Sequence, residues 1–246
     1  MPRIYLSPSL QEWNKYVDGG NEEYYMNLIA DDMVPYLTAS GIEYTRNTPS
    51  NTLRQTINES NEGSYDLHLA IHSNAAPESL SGKLQGTDVY YYAGSAQSKR
   101  AAEIFANNFK SIYPNPSMVK TVANTSLAEL RLTKSPAVLI EVAYHDNPED
   151  AQWIRDNISE IARNLVLSIT EYFDLPFRAP DDGKTVRIST SGSPLNIRDE
   201  PSISSTVLGS IPNGTLVSVL GQADDWYLVN YNGIEGYIST AFTSSP

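Results

Sequence analysis

The chain has 246 residues, 40% hydrophobic and 19% charged, with a formal net charge of −12 and no cysteine. That length and composition suit one or two globular domains with ample core, while the acidic balance and lack of clustered Lys and Arg exclude a nucleic-acid partner. No apolar run is long enough to span a membrane and no basic amphipathic stretch suits an anionic surface; without cysteine there is no disulfide, thiolate ligand or Cys nucleophile, which fits an oxidising exterior or the cytoplasm alike.

Strand-like and helix-like segments alternate from the start. Residues 3–6 read as a strand, followed by a loop rich in Ser, Asn and Gly up to Asn21. No signal peptide precedes Ile4, so the expectation is release by another route such as lysis, or a leader already removed. A helix is predicted over 22–39, with Met26, Ile29, Met33 and Leu37 on one face. Pro35 should kink it or end its regular part early, and Gly41 is a stop signal. A strand near 42–45 and a helix near 53–61 lead into a strand over 66–72. Another strand at 86–92, a helix over 96–112, a strand over 136–143 and one long helix over 148–173 complete the pattern of a largely parallel sheet.

The character changes near residue 175. Residues 175–184 carry two prolines, a glycine and charges, and read as a linker. Beyond them come only short alternating runs broken by turn residues such as Pro212-Asn-Gly and Tyr231-Asn-Gly, the pattern of a small β-barrel.

Two apolar runs end in residues that bind metal or move protons. Leu69-Ala-Ile-His-Ser-Asn74 delivers His72, and Ala137-Val-Leu-Ile-Glu141 delivers Glu141, as buried strands do at one edge of an α/β sheet. A His or Glu there also simply marks where a strand meets solvent. Glu23, in the first turn of its helix, either complements the helix dipole or supplies an oxygen ligand. His68, Ala70 and His72 share a strand face, but four residues span roughly 13 Å, which keeps the two histidines from sharing one ion. His68 is therefore read as structural or as supporting the site from behind. Glu129, beside Leu130 and Arg131, is a further candidate to reach the site.

Several of these stretches, in this order and spacing, resemble the zinc-dependent N-acetylmuramoyl-L-alanine amidases, which hydrolyse peptidoglycan. They are the opening strand, Glu23 with Asn27-Leu-Ile-Ala30, Thr45-Arg46, Ile71-His-Ser-Asn74, Gly86-Thr-Asp-Val-Tyr-Tyr, and Pro136-Ala-Val-Leu-Ile-Glu141 followed by Asp146-Asn-Pro. The resemblance covers residues 1–174. It implies a zinc ion held by two histidines and a glutamate, plus a second glutamate as general acid and base. Glu23 and His72 occupy two ligand positions and Glu141 the catalytic one. In Gln11-Glu-Trp-Asn14, Trp13 stands where the family has its first zinc histidine, and indole offers only an N–H donor. Three readings stay open: a replacement ligand, with His145 the nitrogen candidate and Glu12 or Asp18 the oxygen ones; zinc held by two protein ligands and waters; or lost catalysis with retained substrate binding.

The C-terminal part resembles a bacterial SH3-type wall-binding domain through Leu195-Asn-Ile-Arg198, Pro201, Gly209, Gly214-Thr-Leu-Val, Asp225-Trp-Tyr-Leu-Val and Gly236-Tyr-Ile. Trp226, Tyr227, Tyr231 and Tyr237 are its candidate wall contacts, each with a plain packing role as the alternative. From Val186 onward five carboxylates face two arginines, so hydrogen bonds and aromatic contacts to peptide, rather than charge, should carry recognition. The expectation is thus a mostly parallel α/β sheet covered by helices on both faces (1–174), a linker (175–184) and a small all-β SH3-like barrel (185–246). Its expected function is hydrolysis of the amide between N-acetylmuramic acid and the L-alanine of the stem peptide, outside the cell or in the wall, as in an autolysin or endolysin. The alternative is a non-catalytic muropeptide-binding protein with a degenerate amidase domain.

Overall fold

The computed structural model describes residues 1–180 and 184–246; Asp181, Asp182 and Gly183 of the expected linker lie outside the described residues. The chain divides into two compact units, Met1–Leu175 and Pro176–Pro246.

In the first unit β1 (Arg3–Pro8), α1 (Glu22–Ala39), β2 (Glu43–Arg46), α2 (Leu53–Glu62), β3 (Leu67–Asn74), β4 (Thr87–Tyr92) and α3 (Ala96–Phe109) follow the alternation read from the sequence. Then come β5 (Val119–Asn124), α4 (Ala128–Leu132), β6 (Ala137–Tyr144), α5 (Pro148–Asp156) and α6 (Ile158–Tyr172). The six strands lie in the order β2-β1-β3-β6-β4-β5, parallel except where β4 meets β6. The α1 stripe is buried as its spacing predicts: Met26, Ile29, Met33 and Leu37 are all inaccessible. Asn21 starts the helix by accepting the Tyr24 N–H, and Gly41 leaves it with a positive φ of 70°. The helix runs through Pro35 to Ala39; buried Met33 and Leu37 on either side hold a turn that lacks one N–H.

Three elements differ from expectation. β5 and α4 were not foreseen, and the single helix predicted over 148–173 is two. The break falls at Asn157, whose Nδ2 donates to the Trp153 carbonyl.

Alternation along the strands sorts the two faces of the sheet. Ala70, Ala137 and Leu139 pack beneath Leu130 of α4, so His68, His72 and Glu141 face that same side. Their neighbours Leu69, Ile71, Val138 and Ile140 are fully buried on the other face. The face under α4 is covered by short elements only, and polar groups open there.

The second unit is an antiparallel sheet of seven strands, in the order β13-β7-β10-β11-β12-β8-β9. These are β7 (Thr185–Ile188), β8 (Leu195–Arg198), β9 (Val207–Ile211), β10 (Leu216–Ala223), β11 (Trp226–Tyr231), β12 (Ile234–Ser239) and β13 (Thr243–Ser244). Val186, Ile188, Ile197, Ile211, Val229 and Ile238 form its core. Phe177 is buried, and a Cβ at Gly221 of β10 would stand 2.6 Å from the Phe177 carbonyl oxygen. The start of the predicted linker therefore packs on the barrel, and only glycine permits that approach. Among the described residues no helix is long and apolar enough to cross a membrane.

Candidate active site

A cleft of about 640 Å³ opens at the C-terminal ends of β1 and β3 and beside β6, with Gln11, Trp13, Glu23, His72, Glu129 and Glu141 in its walls. His72 and Glu141 are register partners on adjacent strands, so one sheet edge presents both to the cleft. Asp88 of β4 pairs with Glu141 from the other side.

His72 lies between two carboxylates. Its Nδ1 stands 2.8 Å from Glu22 Oε1, and its Nε2 is 3.6 Å from Glu129 Oε1. Burial disfavours a charge on the ring, but Glu129 and Glu22 outweigh it and raise the pKa of His72 well above its ordinary value. Glu22, 1% exposed, also accepts from Asn14 Nδ2 at 2.6 Å and from the Ser73 N–H at 3.4 Å. Burial raises the pKa of this carboxyl, yet His72 and Asn14 bring it below the usual range. Glu129 behaves alike: burial acts against its charge, and His68 and His72 hold its pKa low.

Glu141 is different. Burial pushes its carboxyl up to about 7, with His72 opposing and Glu22 and Asp88 adding to the rise. Its Oε2 is buried without a hydrogen-bond partner, as is His72 Nε2. A carboxyl raised to about 7 with an unused oxygen, in a cleft beside His72, suits it to take up and release a proton.

The site residues read from the sequence are distributed as follows. His72 and Glu141 meet in the cleft. Glu23 lines it, but the carboxylate that contacts His72 is Glu22, one position earlier. Successive helical residues point about 100° apart, and Asn14 in the preceding loop receives the first of the two. His145 is not in the cleft. It is buried, its Nδ1 within 3.0 Å of Ser73 Oγ and 2.9 Å of the Ser73 carbonyl oxygen, and its ring stacks on Tyr16 at 5.3 Å. The cause is a bulge: β3 and β6 pair His72 with Glu141 but Asn74 with Tyr144. The extra residue in β6 reverses the alternation and turns His145 to the face of Ser73. Of the oxygen candidates, Glu12 lines the cleft, whereas Asp18 pairs with Arg155 at 3.2 Å. Trp13 is 67% exposed on the rim.

Among the described residues no three His, Asp or Glu side chains are grouped to hold a metal ion. The geometry gives the reason: Glu22 and Glu129 address opposite nitrogens of one imidazole and do not converge on a point. Glu22 is not among the candidates read from the sequence; Glu129 is, and both stand against the His72 ring. Asn14, eight residues before Glu22, carried no signal.

In the second unit the four candidate aromatics do not gather. Tyr227 and Tyr231 pack against the barrel core, and Lys184 Nζ sits 4.3 Å from the Tyr227 ring centre. Tyr237 is half-buried. Trp226 alone of the four lines a groove of about 250 Å³, with Pro194, Arg198, Ile203 and Phe242.

The sequence pattern of the N-acetylmuramoyl-L-alanine amidases matches residues 12–171, and that of the bacterial SH3 domain matches residues 193–244. An uncharacterised protein of Clostridium perfringens is 25% identical over 210 residues, covering 78% of this chain and 61% of its own length. The germination-specific N-acetylmuramoyl-L-alanine amidase of Bacillus subtilis is 28% identical over 131 residues, covering 50% of this chain and 53% of its own length. The chain thus spans little more than half the length of these two relatives. The solved N-acetylmuramoyl-L-alanine amidase AmiC2 of Nostoc punctiforme superposes with a TM-score of 0.62 at 17% identity, covering 70% of this chain and 97% of that one, which establishes a common fold.

Proposed function

Because the chain belongs to the N-acetylmuramoyl-L-alanine amidase family, we propose that it hydrolyses the amide between the lactyl group of N-acetylmuramic acid and the L-alanine of the stem peptide. The observation that carries this reading is Glu141, a cleft-lining, buried carboxyl raised to about 7, one of whose oxygens has no hydrogen-bond partner. Its substrate is peptidoglycan, and its place of action is the cell wall or the space outside the cell.

Glu22 and His72 are an oxygen and a nitrogen ligand of the kinds zinc takes, and the carboxylates at the cleft face no Lys or Arg among the residues lining it. In this reading Glu22 and His72 would hold the ion, with Trp13 on the rim and His145 buried against Ser73 outside the set. A zinc ion held there would supply polarisation of the scissile carbonyl.

The protein's own residues do the rest. Glu141 takes a proton from the attacking water as its oxygen bonds to the carbonyl carbon, then delivers that proton to the alanine nitrogen as the C–N bond breaks. The products are a lactyl carboxylate on the glycan and a peptide with a free amino terminus. Leu10, Leu127 and Leu139 give the cleft apolar walls. The barrel holds the enzyme to the wall, with the Trp226 groove as its contact.

The test is digestion of purified peptidoglycan by the full chain with added zinc. New alanine amino termini should appear without new reducing sugars, and Glu141→Gln should abolish them. Reducing ends in place of amines would mean a glycosidase; wall binding with neither product would mean a binding protein.

A further inference from the structure

His68 is completely buried, sits roughly 13 Å along the strand from His72, and plays no part in the proposed reaction. A buried histidine needs partners for both ring nitrogens. Ser60 Oγ of α2 lies 2.9 Å from its Nδ1, and Glu129 Oε2 of α4 lies 2.7 Å from its Nε2. This chain joins α2, β3 and α4, and as a structural staple it uses only one oxygen of Glu129. The other oxygen, Oε1, points to His72 Nε2 at 3.6 Å. That nitrogen is buried and has no hydrogen-bond partner.

We propose that Glu129, clamped by His68, is the positioning residue for His72. Its Oε1 accepts the Nε2–H, fixes the plane and tautomer of the ring, and so commits Nδ1 to the side where Glu22 stands. The 3.6 Å separation is about 0.6 Å beyond an ordinary hydrogen bond and within ion-pair range. A carboxylate behind a ligating histidine is a recurrent way to orient it, and its loss costs about 10- to 100-fold in metal affinity. Here the clamp is itself held by a second histidine, so the carboxylate cannot swing away.

The zinc arm of the test rests on the function proposed above; the spectroscopic arm does not. In metal-free full-length protein, nitrogen-resolved NMR should show a His72 Nε2–H that exchanges slowly with water and disappears in Glu129→Gln. If Glu129→Gln does not fold, His68→Gln, which releases the clamp, should speed the exchange of the same proton. A signal unchanged in a folded variant overturns the proposal. In zinc titrations Glu129→Gln should weaken affinity about 10- to 100-fold, and should add nothing in a His72→Ala background. Additive losses would mean that Glu129 acts elsewhere and would also overturn it. If wild type binds no zinc but the Nε2–H is lost in Glu129→Gln, the positioning role stands and the zinc reading falls.

Discussion

Replacing Glu22 by Gln, with Glu23 by Gln as its control, separates the two carboxylates that open α1. Glu22 is 1% exposed, and its oxygens face Asn14 Nδ2 at 2.6 Å and His72 Nδ1 at 2.8 Å. Gln keeps the shape but offers one oxygen and one amide nitrogen to the three N–H groups of Asn14, His72 and Ser73, so one donor is left facing another. A hydrogen bond to a charged group contributes about 1.5–3 kcal/mol, and an unsatisfied buried donor costs about 1–3 kcal/mol. The expected loss in Glu22→Gln is therefore about 2.5–6 kcal/mol, or about 5–24 °C in Tm for a domain of this size. Glu23 lines the cleft partly exposed, and its change should stay within about 0.5 kcal/mol. Thermal unfolding in chelator measures both values, and zinc calorimetry on the same proteins asks which carboxylate is the ligand. The reasoning is refuted if Glu23→Gln is the destabilised variant, or if it loses zinc while Glu22→Gln binds normally.

His145→Ala should cost about 1–3 kcal/mol by stranding the Ser73 hydroxyl yet leave zinc affinity unchanged; a tenfold loss of zinc in titration would return His145 to the site. Asp146 accepts the Ala76 N–H at 3.1 Å and the Gly82 N–H at 2.9 Å; partial burial raises its pKa, but these N–H groups outweigh that and lower it. Its stabilisation is thus present above the unfolded value near 4 and is lost as pH falls through the folded one. Amide exchange at Ala76 and Gly82 should quicken in that window, and Asp146→Asn should remove the pH dependence. Trp226→Ala should weaken retention on cell walls with the barrel still folded, and wild-type retention should change little above about 0.15 M salt, where charges are screened beyond about 8 Å; a steep salt dependence would mean that charge carries the binding.

Where an apolar pattern is long, the architecture is legible from residues alone. The α1 stripe, the runs that became β3 and β6, and the change to short alternating segments past residue 175 each report burial directly, because burial is what the pattern encodes. β5 escaped since it is an edge strand in which only Val119 is buried, so Val119-Lys-Thr-Val-Ala-Asn124 lacks an apolar run. Five-residue α4 is too short to show a period. The break between α5 and α6 is hidden because Ile154, Ile158 and Ile161 keep the helical spacing across it; what ends α5 is a side-chain hydrogen bond from Asn157, a competition that hydropathy does not register.

The site shows the same division at finer scale. That His72 and Glu141 arrive at one edge follows from two buried strands in parallel register. Which first-turn carboxylate contacts His72 does not: the resemblance singles out Glu23, whereas in space it is Glu22, held by Asn14, that reaches the ring. His145 is the sharper case. Counting by twos from Glu141 reaches residues 143 and 145, so simple alternation puts His145 on the catalytic face and recommends it as the missing nitrogen. One extra residue between the paired positions His72–Glu141 and Asn74–Tyr144 reverses that parity, and His145 ends against Ser73 and Tyr16. A bulge has no composition of its own here: no glycine marks Glu141-Val-Ala-Tyr144. The position of a ligand can therefore change face without any change in the residues that suggested it. With His145 turned away, the donors left at the cleft are His72 and the carboxylates around it, of which Glu22 is the one in contact with the ring.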